Sequence, residues 1–345
     1  MRSRAASRHT TGGKIAMRHK TWMVLLVALG MCAALVATAS AGAKMKVNVG
    51  STFGPGAPVY KGQEKFKELV EQRSKGEIEV LVHPLGAMGG ERDVFEAMST
   101  GGLEMGAMGS GDISIFFPKY LVFEVPYVMK DYDHFWKFWN GPLGAYINDV
   151  PLKQKGVKTV GIVYRGPRML TANRPVKTPA DVKGLKLRLP EIKPWMEVWK
   201  SLGAMPTPVP FQEVYMALKT GVVDSQENPP ESIWSLKFYE AQKYLMRTEH
   251  IYSACKYQIS MKWFNTLDKA TQDLIVKAWE DAAKYANEMA VAADKDFTAK
   301  LQAEGKMTMV EVDKAAFAKA VGPAMDMLDR EVFEPGLLKK VRDIK

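Results

Sequence analysis

In Leu185-Lys186-Leu187-Arg188-Leu189-Pro190 the three leucines fall on one face of an extended segment, Lys186 and Arg188 fall on the other, and Pro190 stops the strand. Arg188 therefore stands at a strand's carboxyl end. In open α/β sheets, ligands bind in the crevice outside those ends. A second strand over 222–226 runs into Glu227-Asn228-Pro229-Pro230, which sets Asn228 at the same end. Between the two, Pro194 opens a helix whose Trp195, Val198, Trp199 and Leu202 recur at i, i+3, i+4 and i+7, and Gly203 closes it. A further helix over 211–220 ends at Gly221.

Outward from this segment, short apolar runs alternate with helical patterns. Strands are expected at 45–49, 78–82, 103–108 and 157–163, and helices around 60–73, 91–100 and 132–147. Such alternation predicts α/β units built on largely parallel sheets. Toward the C-terminus the pattern changes to long helices over 268–304 and 315–340, with a strand at 307–312 between them. Helices of that length can brace two lobes instead of forming a third. The sequence holds no internal repeat, low-complexity tract or Gly/Ser linker.

The 345 residues, 47% hydrophobic and 25% charged, suffice for two domains with a large core. The formal charge of +10 suggests a polyanion partner until it is located. Six of the 48 basic residues lie in the first 41 positions with no acidic residue among them, which leaves 42 against 38, or +4, for the rest. No nucleic-acid partner is expected from that balance. The 41 positions read as a secretory signal peptide, because Met17-Arg18-His19-Lys20 precedes an apolar run over 22–37 and Ala37-Thr38-Ala39-Ser40-Ala41 offers an A-x-A cleavage pattern. The run is short against the roughly 20 residues of a membrane span. Cys32 follows Met31 inside it, a poor place for lipidation. Cleavage near Ala41 leaves Cys255 as the remaining cysteine, so no intrachain disulfide can form and the core alone must hold the fold.

Beyond the leader, His83, His134 and His250 lie too far apart for metal-ligand spacing. No H-E-x-x-H, G-x-S-x-G, Walker A or G-x-G-x-x-G pattern occurs, Gly109-Ser110-Gly111 is a small-residue turn, and Cys255 reads as a buried small apolar residue. No nucleophile, base and orienter assemble in sequence, so no enzyme is expected. What is present suits a carboxylate. Arg168 and Arg188 flank a turn and a short helix, a guanidinium fork can grip a carboxylate through two charge-assisted hydrogen bonds, and Asn228 can add an amide donor. On spacing alone, both arginines can equally be surface charges.

Five ordered blocks then become recognisable. They are Arg168-Met169-Leu170-Thr171-Ala172-Asn173-Arg174-Pro175, Asp181-Val182-Lys183-Gly184-Leu185-Lys186-Leu187-Arg188-Leu189-Pro190, Leu202-Gly203-Ala204-Met205-Pro206-Thr207-Pro208, Phe211-Gln212-Glu213-Val214-Tyr215-Met216-Ala217-Leu218 and Val223-Asp224-Ser225-Gln226-Glu227-Asn228-Pro229. Together they resemble the DctP-type solute-binding proteins of tripartite ATP-independent periplasmic (TRAP) transporters. Ser74-Lys75-Gly76-Glu77-Ile78-Glu79-Val80 and Phe123-Glu124-Val125-Pro126-Tyr127 carry a weaker likeness.

The resemblance implies an α/β, two-lobed periplasmic binding protein fold with crossing hinge segments and a long helix spanning both lobes. On that reading 42–165 with 254–293 form lobe I, and 166–253 with 294–345 form lobe II. Arg188 matches the carboxylate-pairing arginine, Arg168 a second arginine near the ligand, Asn228 the polar residue after the Gln-Glu pair, and Phe211 an aromatic wall. By position, Ser51, Thr52, Gly109 and Ser110 line the opposite lobe. Glu191 can repel an acid, accept from its hydroxyl or amino group, or point to solvent, the last being the first choice. Trp195 has core spacing, while Trp234 divides evenly between pocket and packing. The implied function is a periplasmic receptor that captures a small organic acid and hands it to the small and large TRAP membrane subunits. No cofactor is implied, and the cation used by some family members has no positions here to carry over. The alternatives are a secreted α/β enzyme acting on an organic acid, or a binding protein of another transporter or sensor class.

Overall fold

The computed structural model describes residues 43–345; the leader, Cys32 and the cleavage sequence at Ala41 lie outside them. In chain order the first strands are β1 (Met45–Ser51), β2 (Ile78–His83), β3 (Met105–Met108) and β4 (Val157–Pro167). They are followed by β5 (Met169–Ala172), β6 (Lys186–Leu189), β7 (Met205–Pro208), β8 (Ser225–Asn228) and β9 (Tyr244–Met246), then by β10 (Tyr252–Ser260) and β11 (Thr308–Val310). Two sheets result, ordered β2-β1-β3-β10-β4 and β11-β9-β5-β8-β6-β7. Among the described residues five strand pairs are parallel and four antiparallel, so the sheets are mixed where the alternation predicts largely parallel ones; β10 runs antiparallel between β3 and β4, and β5 runs antiparallel between β8 and β9.

The chain crosses between the sheets where β4 gives way to β5, and returns where β9 leads to β10. These crossings lie side by side: Arg168 N donates to Ile251 O at 2.8 Å, and His250 N donates to Arg168 O at 3.2 Å. A third connection is the 35-residue helix Lys269–Ala303, about 50 Å long at 1.5 Å per residue. Its Trp279 stacks on Phe66 at 3.7 Å in the first lobe, while its Phe297 meets Trp234 at 6.1 Å in the second. Fold and core thus share a brace.

On β6 the leucine face is as expected: Leu185, Leu187 and Leu189 are buried and Lys186 is exposed. Arg188 departs from it, being 1% exposed although it points away from the leucines. The helix expected over 211–220 is a 3-10 turn, Phe211–Glu213, followed by a helix, Val214–Lys219, and three further differences have a backbone reason. The strand expected at 222–226 is β8, because Val223 N still bonds Ala217 O at the end of the preceding helix and Asp224 then binds both N and O of Lys186. The helix expected over 132–147 is two, Tyr132–Trp139 and Pro142–Lys155, broken where Gly141 is extended and Pro142 has no N–H to continue the ladder. The helix expected over 315–340 is three, Lys314–Ala320, Gly322–Glu331 and Leu337–Arg342, interrupted by Pro323 and by Pro335-Gly336, where Gly336 takes φ +76°. Cys255 is fully buried on β10, and burial pushes its thiol well above the ordinary range.

Candidate ligand-binding site

Between the sheets lies a cavity of about 570 Å³, within the 300–1,000 Å³ range of small-molecule sites. Arg168, Arg188 and Asn228 all line it. Pairing of β5 with β8 puts Met169 opposite Asn228, and pairing of β6 with β8 puts Arg188 opposite Gln226, so the three residues converge from neighbouring strand ends.

Their hydrogen bonds differ. The Arg168 guanidinium is held bidentately by Glu227, with Nη2 at 2.8 Å from Oε1 and Nε on Oε2, and Nη2 also donates to Glu227 O and to Asn228 Oδ1 at 3.0 Å. Asn228 Nδ2 donates to Gln226 Oε1 at 2.7 Å. Burial alone would raise the Glu227 carboxyl; Arg168 and His250 override it and hold it down at about 2. Burial also lowers the His250 pKa, and the neutral ring donates from Nε2 to Glu227 at 3.1 Å while Nδ1 meets Thr248 Oγ1 at 2.8 Å. Arg188, by contrast, spends Nε and Nη2 on the Val209 carbonyl at 2.9 and 2.6 Å and, among the described residues, has no carboxylate within ion-pair distance. Burial pulls its pKa down to about 9, which still leaves it a cation at neutral pH. A buried cation without an anion is costly.

Of the residues expected on the opposite wall, Thr52, Gly109 and Ser110 line the cavity. Ser51 does not: its hydroxyl is taken by Gln63 Nε2 at 2.9 Å and by Phe53 N at 3.1 Å, inside the first lobe. Phe211 forms a wall, 5.8 Å from Phe53 and 5.9 Å from the Arg188 guanidinium carbon. Trp234 is turned away from the cavity toward Tyr239 and Phe297, so packing on the long helix claims it. Trp195 both packs and lines: it is 2% exposed, its Nε1 donates to Glu124 O, and its ring lies 4.9 Å from the Arg168 guanidinium carbon. Glu191 stands at the mouth, exposed, with both carboxylate oxygens 3.2 Å from Arg92 Nη2 on the helix Glu91–Thr100 of the other lobe.

Three charged residues were not anticipated from sequence. Arg165, on β4, is held between Phe53 and Phe211 at 4.7 and 5.9 Å and donates to Ser232 Oγ at 3.0 Å. Glu91 takes the Gly109 N–H at 2.6 Å; a Cβ at Gly109 would come within 2.8 Å of that same oxygen, so the glycine permits the approach. Glu124 is 3% exposed and accepts from Ala254 N at 3.0 Å; burial raises its pKa to about 7. The visible signals were a lone acid in the apolar run Phe123-Glu124-Val125 and the small-residue turn Gly109-Ser110-Gly111. Among the described residues no His, Cys, Asp and Glu cluster suited to a metal occurs, and no helix is long and apolar enough to cross a membrane.

Comparison with known proteins agrees with this fold. The family model of bacterial extracellular solute-binding proteins, family 7 (DctP), matches residues 49–331. The sialic acid-binding periplasmic protein SiaP of Vibrio cholerae is 30% identical over 87% of this chain and 94% of its own length. A crystal structure of a TRAP periplasmic solute binding protein from Roseobacter denitrificans with bound L-galactonate has 31% identity and a TM-score of 0.81, covering 87% of this chain and 99% of that one. A third, from Sulfurospirillum deleyianum with bound succinate, has 27% identity and a TM-score of 0.83 over 88% and 100%.

Proposed function

The chain belongs to the DctP family of extracellular solute-binding proteins, and on that premise we propose that it is a periplasmic receptor that captures a small organic acid between its lobes and delivers it to the small and large membrane subunits of a TRAP permease. The observation that carries this reading is Arg188, a buried cation at the cavity wall whose fork meets no carboxylate among the described residues. A ligand carboxylate supplies one. Arg168, already neutralised by Glu227, acts mainly by holding Asn228 and the two crossing segments in place beside it. The acids named with the relatives support the class: sialic acid, L-galactonate and succinate all carry a carboxylate.

Lobe I comprises 42–165 with 254–293 and lobe II 166–253 with 294–345, so the crossings at Arg168 and at 247–251 are the hinge. A ligand held by both walls favours closure by its differential affinity for the closed arrangement. The leader directs export and is removed near Ala41, which N-terminal sequencing of the periplasmic protein checks. The receptor itself is tested by calorimetry against organic acids with Arg188→Lys. Lysine keeps the charge and loses the planar fork, so affinity should drop about tenfold or more. Parent-like affinity in that variant would place the carboxylate elsewhere.

A further inference from the structure

The wall that faces Arg188 is chemically unlike it, and on the acid-receptor reading it names the remainder of the ligand. Thr52 is 2% exposed and lines the cavity, yet its Oγ1 has no hydrogen-bond partner among the described residues. Ser110, 5% exposed, also lines it; its hydroxyl lies beside the Glu124 carboxyl and favours the anion, but without hydrogen-bond geometry. Glu124 and Glu91 add two carboxyl groups to the same wall, each anchored by a single backbone N–H. Buried polar groups are normally satisfied, and an orphan on a residue that lines a cavity points to what a ligand can bring.

We propose that the ligand is a hydroxylated monocarboxylate, its carboxylate on Arg188 and its hydroxyl groups on Thr52, Ser110, Glu91 and Glu124, which together exclude a second carboxylate. A hydroxyl is both donor and acceptor, so one group can give its hydrogen to a carboxylate and take one from Thr52 or Ser110. A second carboxylate brings only acceptors, so it offers no hydrogen to either glutamate and is tolerated beside Glu124 only while that carboxyl stays protonated. An unsubstituted chain leaves Thr52 Oγ1 without a partner and Glu124 with its backbone N–H alone. A ligand ammonium suits the glutamates but adds a positive charge beside Arg165, Arg168 and Arg188. Arg165 is a poorer second carboxylate clamp than Arg188: its guanidinium carbon sits 4.7 and 5.9 Å from the Phe53 and Phe211 rings and Ser232 takes one of its N–H groups, although its Nε has no hydrogen-bond partner among the described residues.

The test is calorimetry of the mature protein with three matched sets of four- to six-carbon acids: aldonates and uronates, dicarboxylates such as succinate and adipate, and unsubstituted butanoate and hexanoate. A site built to bond a hydroxyl rejects analogues that lack it by large factors, so a hydroxy acid should bind at least about 100-fold tighter than both counterparts. Glu124→Gln should narrow the gap to the dicarboxylate. If that variant does not fold, Thr52→Val reads the same wall, weakening the hydroxy acid about tenfold and leaving hexanoate unchanged. A dicarboxylate or unsubstituted acid that binds as tightly as its hydroxylated partner, while Arg188→Lys still weakens it, overturns the hydroxyl assignment and leaves the acid receptor standing. Binding of none of the sets, or binding indifferent to Arg188→Lys, overturns the receptor reading itself.

Discussion

Both walls of the cavity bury charged groups, and they treat them in opposite ways. On the second-sheet side, Arg168, Glu227, His250 and Asn228 form a closed network in which the carboxylate meets a bidentate guanidinium and a ring N–H. On the first-sheet side, among the described residues, Glu124 has a backbone N–H and no basic side chain within ion-pair distance, and Thr52 Oγ1 has no hydrogen-bond partner. One wall is finished before a ligand arrives; the other is not. The finished wall can hold Arg188 ready for a group every ligand of the class shares, whereas the unfinished wall must discriminate, because its desolvated groups are satisfied only by the right ligand.

Cutting into the finished wall should have the largest effect. Glu227→Ala leaves Arg168 buried without its anion, and breaking such a pair typically costs about 3–5 kcal/mol. Chemical denaturation should show that loss; a parent-like midpoint would mean that the network is not a structural unit. Next comes Arg188→Ala, which has no carboxylate partner to orphan. Its folding should survive by circular dichroism while acid binding falls by about 2–5 kcal/mol.

The walls should also titrate in opposite directions. Glu227, held at about 2 against an ordinary 4.5, contributes stability that is present above 4.5 and lost as pH falls toward 2. Glu124, raised by burial to about 7, keeps in the folded chain a proton that the unfolded chain releases above 4.5. Stability therefore falls as pH rises from 4.5 and levels off above about 7. Glu124→Gln should remove that decline, so its melting temperature relative to the parent should increase from about pH 5 to about pH 8; a constant difference would show that Glu124 is ionised throughout. The smallest effect is expected at the mouth, where both partners of Arg92–Glu191 are exposed. Arg92→Ala should cost about 0–1 kcal/mol in ligand retention, read as a modest rise in dissociation rate that added salt erases.

How much of this was legible follows from range. The strand at Leu185-Lys186-Leu187-Arg188-Leu189, the helix after Pro194 and the long helix ending near Ala303 are written in periods of 2 and 3.6, which need only near neighbours. The breaks at Pro142, Pro323 and Pro335 were present in the sequence too, and each outweighed the periodicity around it because a missing N–H cannot be compensated within a helix. Family resemblance carried Arg188, Arg168 and Asn228 to one place, and the strand register explains why they meet there.

What the sequence by itself determined was therefore the two-sheet α/β chain and the strand end from which Arg188 reaches the cavity. Only tertiary structure decided which polar groups go unsatisfied. Thr52 and Ser51 are adjacent in sequence and alike in chemistry, yet Gln63 occupies one and leaves the other to the cavity. Glu227 and Glu124 are both buried glutamates, but one is held near 2 and the other lifted to about 7 by what the fold sets beside them. Partnership and desolvation belong to space, since they depend on groups from 12 to more than 100 residues away along the chain, and no local pattern records them.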